Sequence, residues 1–429
     1  MALRRPYRPG SSRARTYGVF AASVPSPDTT RRTARLDGGI GYGSRASVST
    51  AMRVPFLDLV AQAREVGPAL DAAVADVLAT QQCVLGPALA RFEEAMAAVC
   101  GVRHALGVGS GTDALALAMM ALALRPGQLV VTTAFTFFAT ASTIARLGAR
   151  PLFVDVDPRT LTLDPDAVAT VLAAPPGEIA GLVPVHLYGR LAAMDVLAPL
   201  AARHGLWLVE DAAQAVGARG ARGMAGALGD AGCLSFYPTK NLGGIGDGGM
   251  VLTDRDDVAA AVRRDRNQGM TAPYEHATLG LCSRLDAVQA AALAAKLPYL
   301  ERWNARRRAV AARYDERLTA TGLAAGRQAP IERPAPAGAD HVHHQYVVRA
   351  RERDALATHL ATRGIATQVY YPIPLHRQRA LADVAVVPRP LPETERAAAS
   401  VLALPIHPHL RDDQVDLVVD EIAAFYRDR

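Results

Sequence analysis

After Met52 the chain alternates short apolar or β-branched runs with longer Ala/Leu-rich stretches of helical period. The runs HALGV from 104, QLVVTT from 128, RPLFVDV from 150, GLVPVHL from 181, LWLVED from 206, CLSFY from 233 and GMVLTD from 249 read as strands. TDALALAMMALAL and TASTIARLGA, lying between the earlier runs, read as helices. Such alternation predicts an α/β sheet covered by helices on both faces. Between the sixth and seventh runs only about ten residues remain, too few for a helical crossover, so the last strand is expected to run antiparallel. From residue 285 long Arg/Ala helices follow, LDAVQAAALAAKLPYLERWNARRRAVAARYDERL, and then two short strands, HHQYVVRA and IATQVYYP, among further helices. The expected organisation is an extension over 1–52, a large α/β domain over 53–295 and a smaller C-terminal α+β domain over 296–429.

Composition sharpens this picture at the N-terminal end. Residues 1–52 carry nine Arg and two Asp, a net +7, so with the whole chain at +6 the remainder is near −1. The main body therefore has no electrostatic basis for binding nucleic acid. The leading segment is rich in Arg, Ser, Pro and Gly, reads as disordered, and suggests either a dispensable tail or a start at Met52. Its twin arginines at 4–5 and 31–32 are followed by no apolar stretch long enough for an export signal, and transit-peptide composition is the other reading. No run of about 18 apolar residues suggests a membrane span. Cys83, Cys100, Cys233 and Cys282 lack the spacing of a zinc site or a disulfide framework, so a cytoplasmic protein is expected.

Candidate chemistry starts from a count. The chain holds 45 Arg but only two Lys, Lys240 and Lys296. Arginine stays protonated, whereas a desolvated lysine can lose its proton and form a Schiff base. Lys240 lies in SFYPTKNLGGIGDGG, the connection before the last strand. Twenty-nine residues earlier, WLVEDAAQAVGA ends a buried strand on Glu210 and Asp211, at the sheet edge where open α/β sheets bind ligands. A carboxylate there could hold a pyridinium nitrogen protonated. GVGSGTDALALAM at 107–119 opens a helix on a Gly/Ser turn, which suits a phosphate and equally serves as a plain tight turn. Phe137 in AFTFFATAST could lie flat on a ring or simply pack in the core, and Ser235 could donate to a phosphate. A phosphate cradle, a stacking aromatic, a carboxylate and a Schiff-base lysine at strand ends are what pyridoxal 5′-phosphate requires. His341 and His343 in HVHH share a strand face without a third ligand nearby and read as structural.

These motifs resemble the DegT/DnrJ/EryC1/StrS family of pyridoxal-phosphate-dependent nucleotide-sugar aminotransferases, within the fold-type I enzymes. The match runs in order through PFLDL, LGPALARFEEAMA, GSGTDAL, FTFFATA, FVDVDP, PVHLYG, EDAAQAVGA, SFYPTKNLGGIGDGGM, SRLDAVQAA, YYPIPLH and LALPIHP, over about 350 residues. The resemblance implies a large domain with a seven-stranded, mostly parallel sheet that binds pyridoxal 5′-phosphate, and a smaller C-terminal domain. It implies Lys240 as the Schiff-base lysine, Asp211 as partner of the ring nitrogen and Gln214 beside the ring hydroxyl. Gly111, Thr112 and Ser235 fall at the phosphate, and Phe137 at the stacking position. Arg284, Tyr370 and Tyr371 fall where relatives contact the nucleotide sugar. It further implies a homodimer with shared active sites. Two positions depart from the pattern: Cys282 replaces an Asn that reaches the partner's phosphate, and Tyr370 stands where many relatives have His.

The expected reaction is ping-pong transfer of an amino group from glutamate to a keto group of a nucleotide-linked sugar. A pyridoxamine-dependent sugar dehydratase shares the fold, but that branch replaces the lysine with His. A cyclitol or aminobenzoate-forming aminotransferase and a non-catalytic regulatory relative are the other readings.

Overall fold

The computed structural model describes residues 54–324 and 329–427; the N-terminal extension lies outside them. All seven early strands form: β1 (His104–Val108), β2 (Leu129–Thr133), β3 (Arg150–Val154), β4 (Ile179–Leu182), β5 (Trp207–Asp211), β6 (Ala231–Ser235) and β7 (Gly249–Thr253). They make one sheet in the order β1-β7-β6-β5-β4-β2-β3. Strand β7 runs antiparallel to both neighbours, and the remaining pairs are parallel. The connection from β6 to β7 has no room for a crossover helix, so the chain turns straight back.

The strands read as continuous apolar runs because both faces are covered. Helices α1 (Leu59–Thr80), α2 (Gly86–Cys100), α3 (Gly111–Ala121), α4 (Phe138–Arg146), α5 (Pro165–Ala173), α6 (Met194–Arg203), α7 (Asp256–Asp265) and α8 (Ala287–Lys296) supply the covering layers. On one side Leu115 and Met119 of α3 and Val262 of α7 pack with Leu106, Val130, Val209 and Val251 of the sheet. Elsewhere Phe92 of α2 meets Phe236 edge-on, with Leu252, Leu285 and Leu293 around them.

A short hairpin, β8 (Met270–Ala272) with β9 (Glu275–His276), precedes α8. Beyond it, α9 (Leu300–Ala320) leads to a three-stranded antiparallel sheet, β10 (Ile331–Glu332), β11 (Tyr346–Ala350) and β12 (Val401–Leu404). Helices α10 (Arg353–Thr362), α11 (Pro392–Ser400) and α12 (Asp412–Arg427) complete this part. Its core stacks Tyr314 on Tyr346 with Leu318, Leu356, Leu402, Val418 and Phe425, and also takes in Val54, which bridges to Ile365.

Two expectations are corrected. IATQVYYP is not a strand: its ladder pairing is limited to single bridges, Ile365 to Val54 and Gln368 to Ala403. Pro372 and Pro374 lack the N–H groups that a ladder needs. The partner of β11 is instead VLAL at 401–404. The run from 181 is also displaced, since β4 spans Ile179–Leu182 and Pro184 ends its ladder. Among the described residues no helix is long and apolar enough to cross a membrane.

Candidate active site

Successive residues of a strand face opposite sides, so Glu210 and Asp211 at the end of β5 go different ways. Glu210 is fully buried and accepts from the N–H groups of Gly226 (2.9 Å), Leu228 (2.6 Å) and Gly229 (2.8 Å) and from His186 Nε2 (2.8 Å). His186 Nδ1 in turn accepts from Ala192 N–H, which places the imidazole proton on Nε2. Glu210 therefore fastens the 226–229 turn and is occupied there.

Asp211 points to the sheet's C-terminal edge. Its Oδ2 accepts the Thr140 hydroxyl at 2.7 Å and its Oδ1 the Ala213 N–H at 3.2 Å. Because the Thr140 proton is committed to the carboxylate, Thr136 donates to Thr140 Oγ1 across 3.2 Å. Both threonines are buried. Thr140 lies on the first turn of α4, and no sequence signal marked it, since a threonine in an Ala-rich helix start looks like filler. Thr140→Val is expected to leave the fold and cofactor content intact and to slow turnover by roughly tenfold, the worth of one hydrogen bond to a charged group, with Thr140→Ser recovering most of it. Steady-state rates checked against cofactor content decide this; a Val variant as fast as wild type makes the bond irrelevant.

Lys240 sits in the β6–β7 connection, half-buried, in a turn closed by its own N–H on Tyr237 O (2.8 Å). Among the described residues its ammonium makes no hydrogen bond or ion pair. Burial pulls its pKa down from 10.5 to about 8, with the charge of Asp211 acting the other way. At pH 7 about one amine in ten is then neutral, against roughly one in three thousand at the ordinary value.

At the start of α3, Ser110 Oγ accepts from Asp113 N–H at 3.0 Å. The N–H groups of Gly111 and Thr112 keep no partner inside the helix and lie at its positive end. Ser235 at the end of β6 closes the other side. A Cβ on Gly111 would come within 2.8 Å of Ser235 Cβ, so only glycine allows this approach. Ser283 steadies the turn: it accepts from Gly109 N–H (3.0 Å) and donates to Asp113 Oδ2 (2.9 Å).

Gln214, in the same segment as Asp211, is tied on both sides of its amide. Its Oε1 accepts from Tyr188 N–H (2.6 Å) and its Nε2 donates to Tyr371 OH (3.2 Å). Burial pushes the Tyr371 hydroxyl pKa up; Gln214 opposes this and Asp211 adds to it. Tyr188 OH donates to the carbonyl of Tyr370. Phe137, just before α4, is 58% exposed, with its ring 6.2 Å from that of Tyr371. One flat face is thus open at the site. Lys240, Asp211, Gly111, Thr112, Ser235, Phe137, Gln214 and Tyr371 come from strand ends, a helix start and connecting segments.

Arg284 donates to Asn267 Oδ1 (2.7 Å) and to Cys282 Sγ (3.0 Å). Cys282 is exposed while its neighbour Ser283 turns inward to the α3 turn. The HVHH segment also has a place: His341 and His343 stack at 3.8 Å, and His344 Nδ1 meets Asn241 Oδ1 at 3.0 Å.

A seven-stranded, mostly parallel sheet with a desolvated lysine, a carboxylate and an anion-binding helix start at one edge is the plan of a fold-type I pyridoxal-phosphate transferase. The profile of the DegT/DnrJ/EryC1/StrS aminotransferase family matches residues 65–423, and the chain belongs to that family. It is 44% identical over 377 residues to the pleiotropic regulatory protein of Geobacillus stearothermophilus, covering 88% of this chain and 99% of that one. Identity is also 44% over 372 residues with the dTDP-3-amino-3,4,6-trideoxy-alpha-D-glucose transaminase of Streptomyces venezuelae, covering 86% and 95%. The crystal structure of S. venezuelae DesV in complex with a ketimine intermediate superposes with a TM-score of 0.82 at 43% identity, over 87% of this chain and 99% of that one. The protein is an aminotransferase and its cofactor is pyridoxal 5′-phosphate. The residues present fit that cofactor: a free amine, a carboxylate with acceptor capacity remaining, unpaired N–H groups for a phosphate and an open aromatic face.

Proposed function

We propose that this enzyme moves an amino group from glutamate to a keto group of a nucleotide-linked sugar in two half-reactions. The observation that carries the reading is the Lys240 amine, which among the described residues makes no hydrogen bond or ion pair and lies close enough to Asp211 to feel its charge. Relatives named as transaminases of dTDP- and UDP-linked sugars support the substrate class.

Pyridoxal 5′-phosphate supplies a carbonyl that exchanges Schiff-base partners and a ring that draws electrons from the substrate's α-carbon. Gly111 and Thr112 N–H and the Ser235 hydroxyl would hold its phosphate, Phe137 its ring face and Lys240 its carbonyl carbon. Asp211, fixed by Thr140 and Ala213, would keep the proton on the ring nitrogen. Lys240, whose pKa burial lowers, would be the group that takes and returns the α-proton. Tyr371, fixed by Gln214, and Tyr370 and Arg284 offer hydrogen-bond donors to the sugar nucleotide.

We also propose a homodimer. Tyr274 at the β8–β9 hairpin is 94% exposed and Leu279 just after it 95%, and the outward-facing Cys282 follows. Large apolar side chains this bare suit a surface covered by a second copy, and a solution mass of one chain would refute it.

Isotope-labelled glutamate given without an acceptor should yield one equivalent of 2-oxoglutarate per site. Adding nucleotide-linked sugars with a keto group at C3 or C4 should then place the label on one of them. Absence of the first product contradicts the two-step order. Amination of keto-cyclitols but of no sugar nucleotide contradicts the substrate class.

A further inference from the structure

The second lysine of this arginine-rich chain lies against the loop that carries the first. Lys296, the last residue of α8, is 6% exposed, and its Nζ donates to the carbonyls of Gly243 (2.7 Å) and Gly244 (3.3 Å). Neither a carboxylate nor any other anion pairs with it among the described residues, and burial lowers its pKa. Gln289, two turns earlier on the same helix, accepts from Ile245 N–H at 2.9 Å. Two side chains of α8 thus hold three consecutive residues of the loop.

The loop needs such a hold. From Lys240 to β7 it reads KNLGGIGDGG, and glycine leaves the backbone with little conformational preference of its own. At the other end, Asn241 Nδ2 donates to Asn304 Oδ1 (2.7 Å) and Val342 O (3.2 Å), and Asn241 Oδ1 takes the His344 Nδ1 proton. Lys240 immediately precedes Asn241, so its amine is placed by a loop fixed on one side by α9 and the 342–344 segment and on the other by α8.

A buried ammonium without a counter-ion is costly to desolvate, and Met or Leu would fill the same space without that cost. What the ammonium adds is a point donor on a flexible stem that can serve two successive carbonyls. A guanidinium spreads five N–H groups over a rigid plane and would leave several unpaired here.

We propose that Lys296 is a positioning residue for transamination, fixing Gly243–Ile245 and through them the place of the Lys240 amine relative to Asp211. The proposal rests on Lys240 being the lysine that bonds the cofactor. The test compares the cofactor-loaded wild type with Lys296→Met, Lys296→Arg and Val310→Ala, the last a destabilising change in the core of the smaller sheet. Four quantities are read: thermal midpoint, the pH midpoint of the cofactor's visible absorbance, kcat and KM for glutamate, and the residue labelled after borohydride reduction. Lys296→Met should move the absorbance midpoint by about half a pH unit or more. It should also lower kcat by roughly tenfold with KM nearly unchanged. Lys296→Arg should fail to restore either, and Val310→Ala should lose thermal stability while keeping both. A wild-type midpoint and kcat in Lys296→Met overturn the proposal, as does an equal shift in Val310→Ala. Should Lys296→Met not fold, Gln289→Leu removes the other α8 hold on the loop and is read by the same criteria: a shift supports the proposal and none overturns it. A label on Lys240 in all variants keeps the underlying reading intact whichever way the shift falls, whereas a label on Lys296 in wild type overturns that reading itself.

Discussion

With Lys240 replaced by Arg, the purified protein is expected to be colourless and its turnover to fall by more than roughly ten-thousandfold. The size follows from two losses at one atom. A guanidinium cannot form the Schiff base, and it stays protonated at any working pH, so it cannot collect the α-proton either. The site makes no use of Lys240 as an ion-pair partner, so the positive charge that Arg retains rescues nothing. Visible spectra and glutamate turnover measured on one preparation check this. A coloured, active Lys240→Arg enzyme would remove Lys240 from the mechanism.

The second large effect belongs to Asp211→Asn, which should keep the cofactor bound while slowing the glutamate half-reaction by roughly a hundred- to a thousandfold. Asparagine has nearly the same shape and can still accept from Thr140 and Ala213 through its oxygen, so the local fold should hold. What would disappear is the negative charge that, in the proposed mechanism, keeps the ring nitrogen protonated and so lets the ring draw electrons from the α-carbon. Single-turnover absorbance changes with glutamate measure this directly; near-normal rates would refute the role given to Asp211.

Much of the fold is legible in the sequence. The seven early strands announce themselves because a doubly covered sheet needs unbroken apolar runs, and the reversed β7 follows from the length of one connection. Lys240, Asp211, Gly111, Thr112 and Ser235 could be found because each belongs to a local stretch with its own chemical signature at a strand end. Thr140, Tyr188, Asn241 and His344 carry no such signature: their meaning comes from partners at separations of 71, 182, 63 and 103 residues in sequence. Gln214 shows the converse limit. Its place in the motif was legible, but its bonds to Tyr188 and Tyr371 depend on segments that only the tertiary fold brings together. IATQVYYP suits a strand by its β-branched and aromatic residues, but Tyr371 accepts a hydrogen bond from Gln214 and the prolines that follow cannot pair. Lys296 carries no chemical signature in its Ala-rich stretch, and the structure gives it two carbonyls to hold.

The central claim is that Lys240, and not the chain's other lysine, bonds the cofactor. Borohydride reduction of the pyridoxal-phosphate-loaded enzyme, followed by proteolysis and mass mapping, tests it most directly. The account predicts the phosphopyridoxyl group on the peptide containing SFYPTKNLGG, at Lys240, in stoichiometric yield, with the Lys296 peptide unmodified. Recovery of the group on Lys296, or an unmodified Lys240 peptide from fully loaded and reduced enzyme, would contradict it.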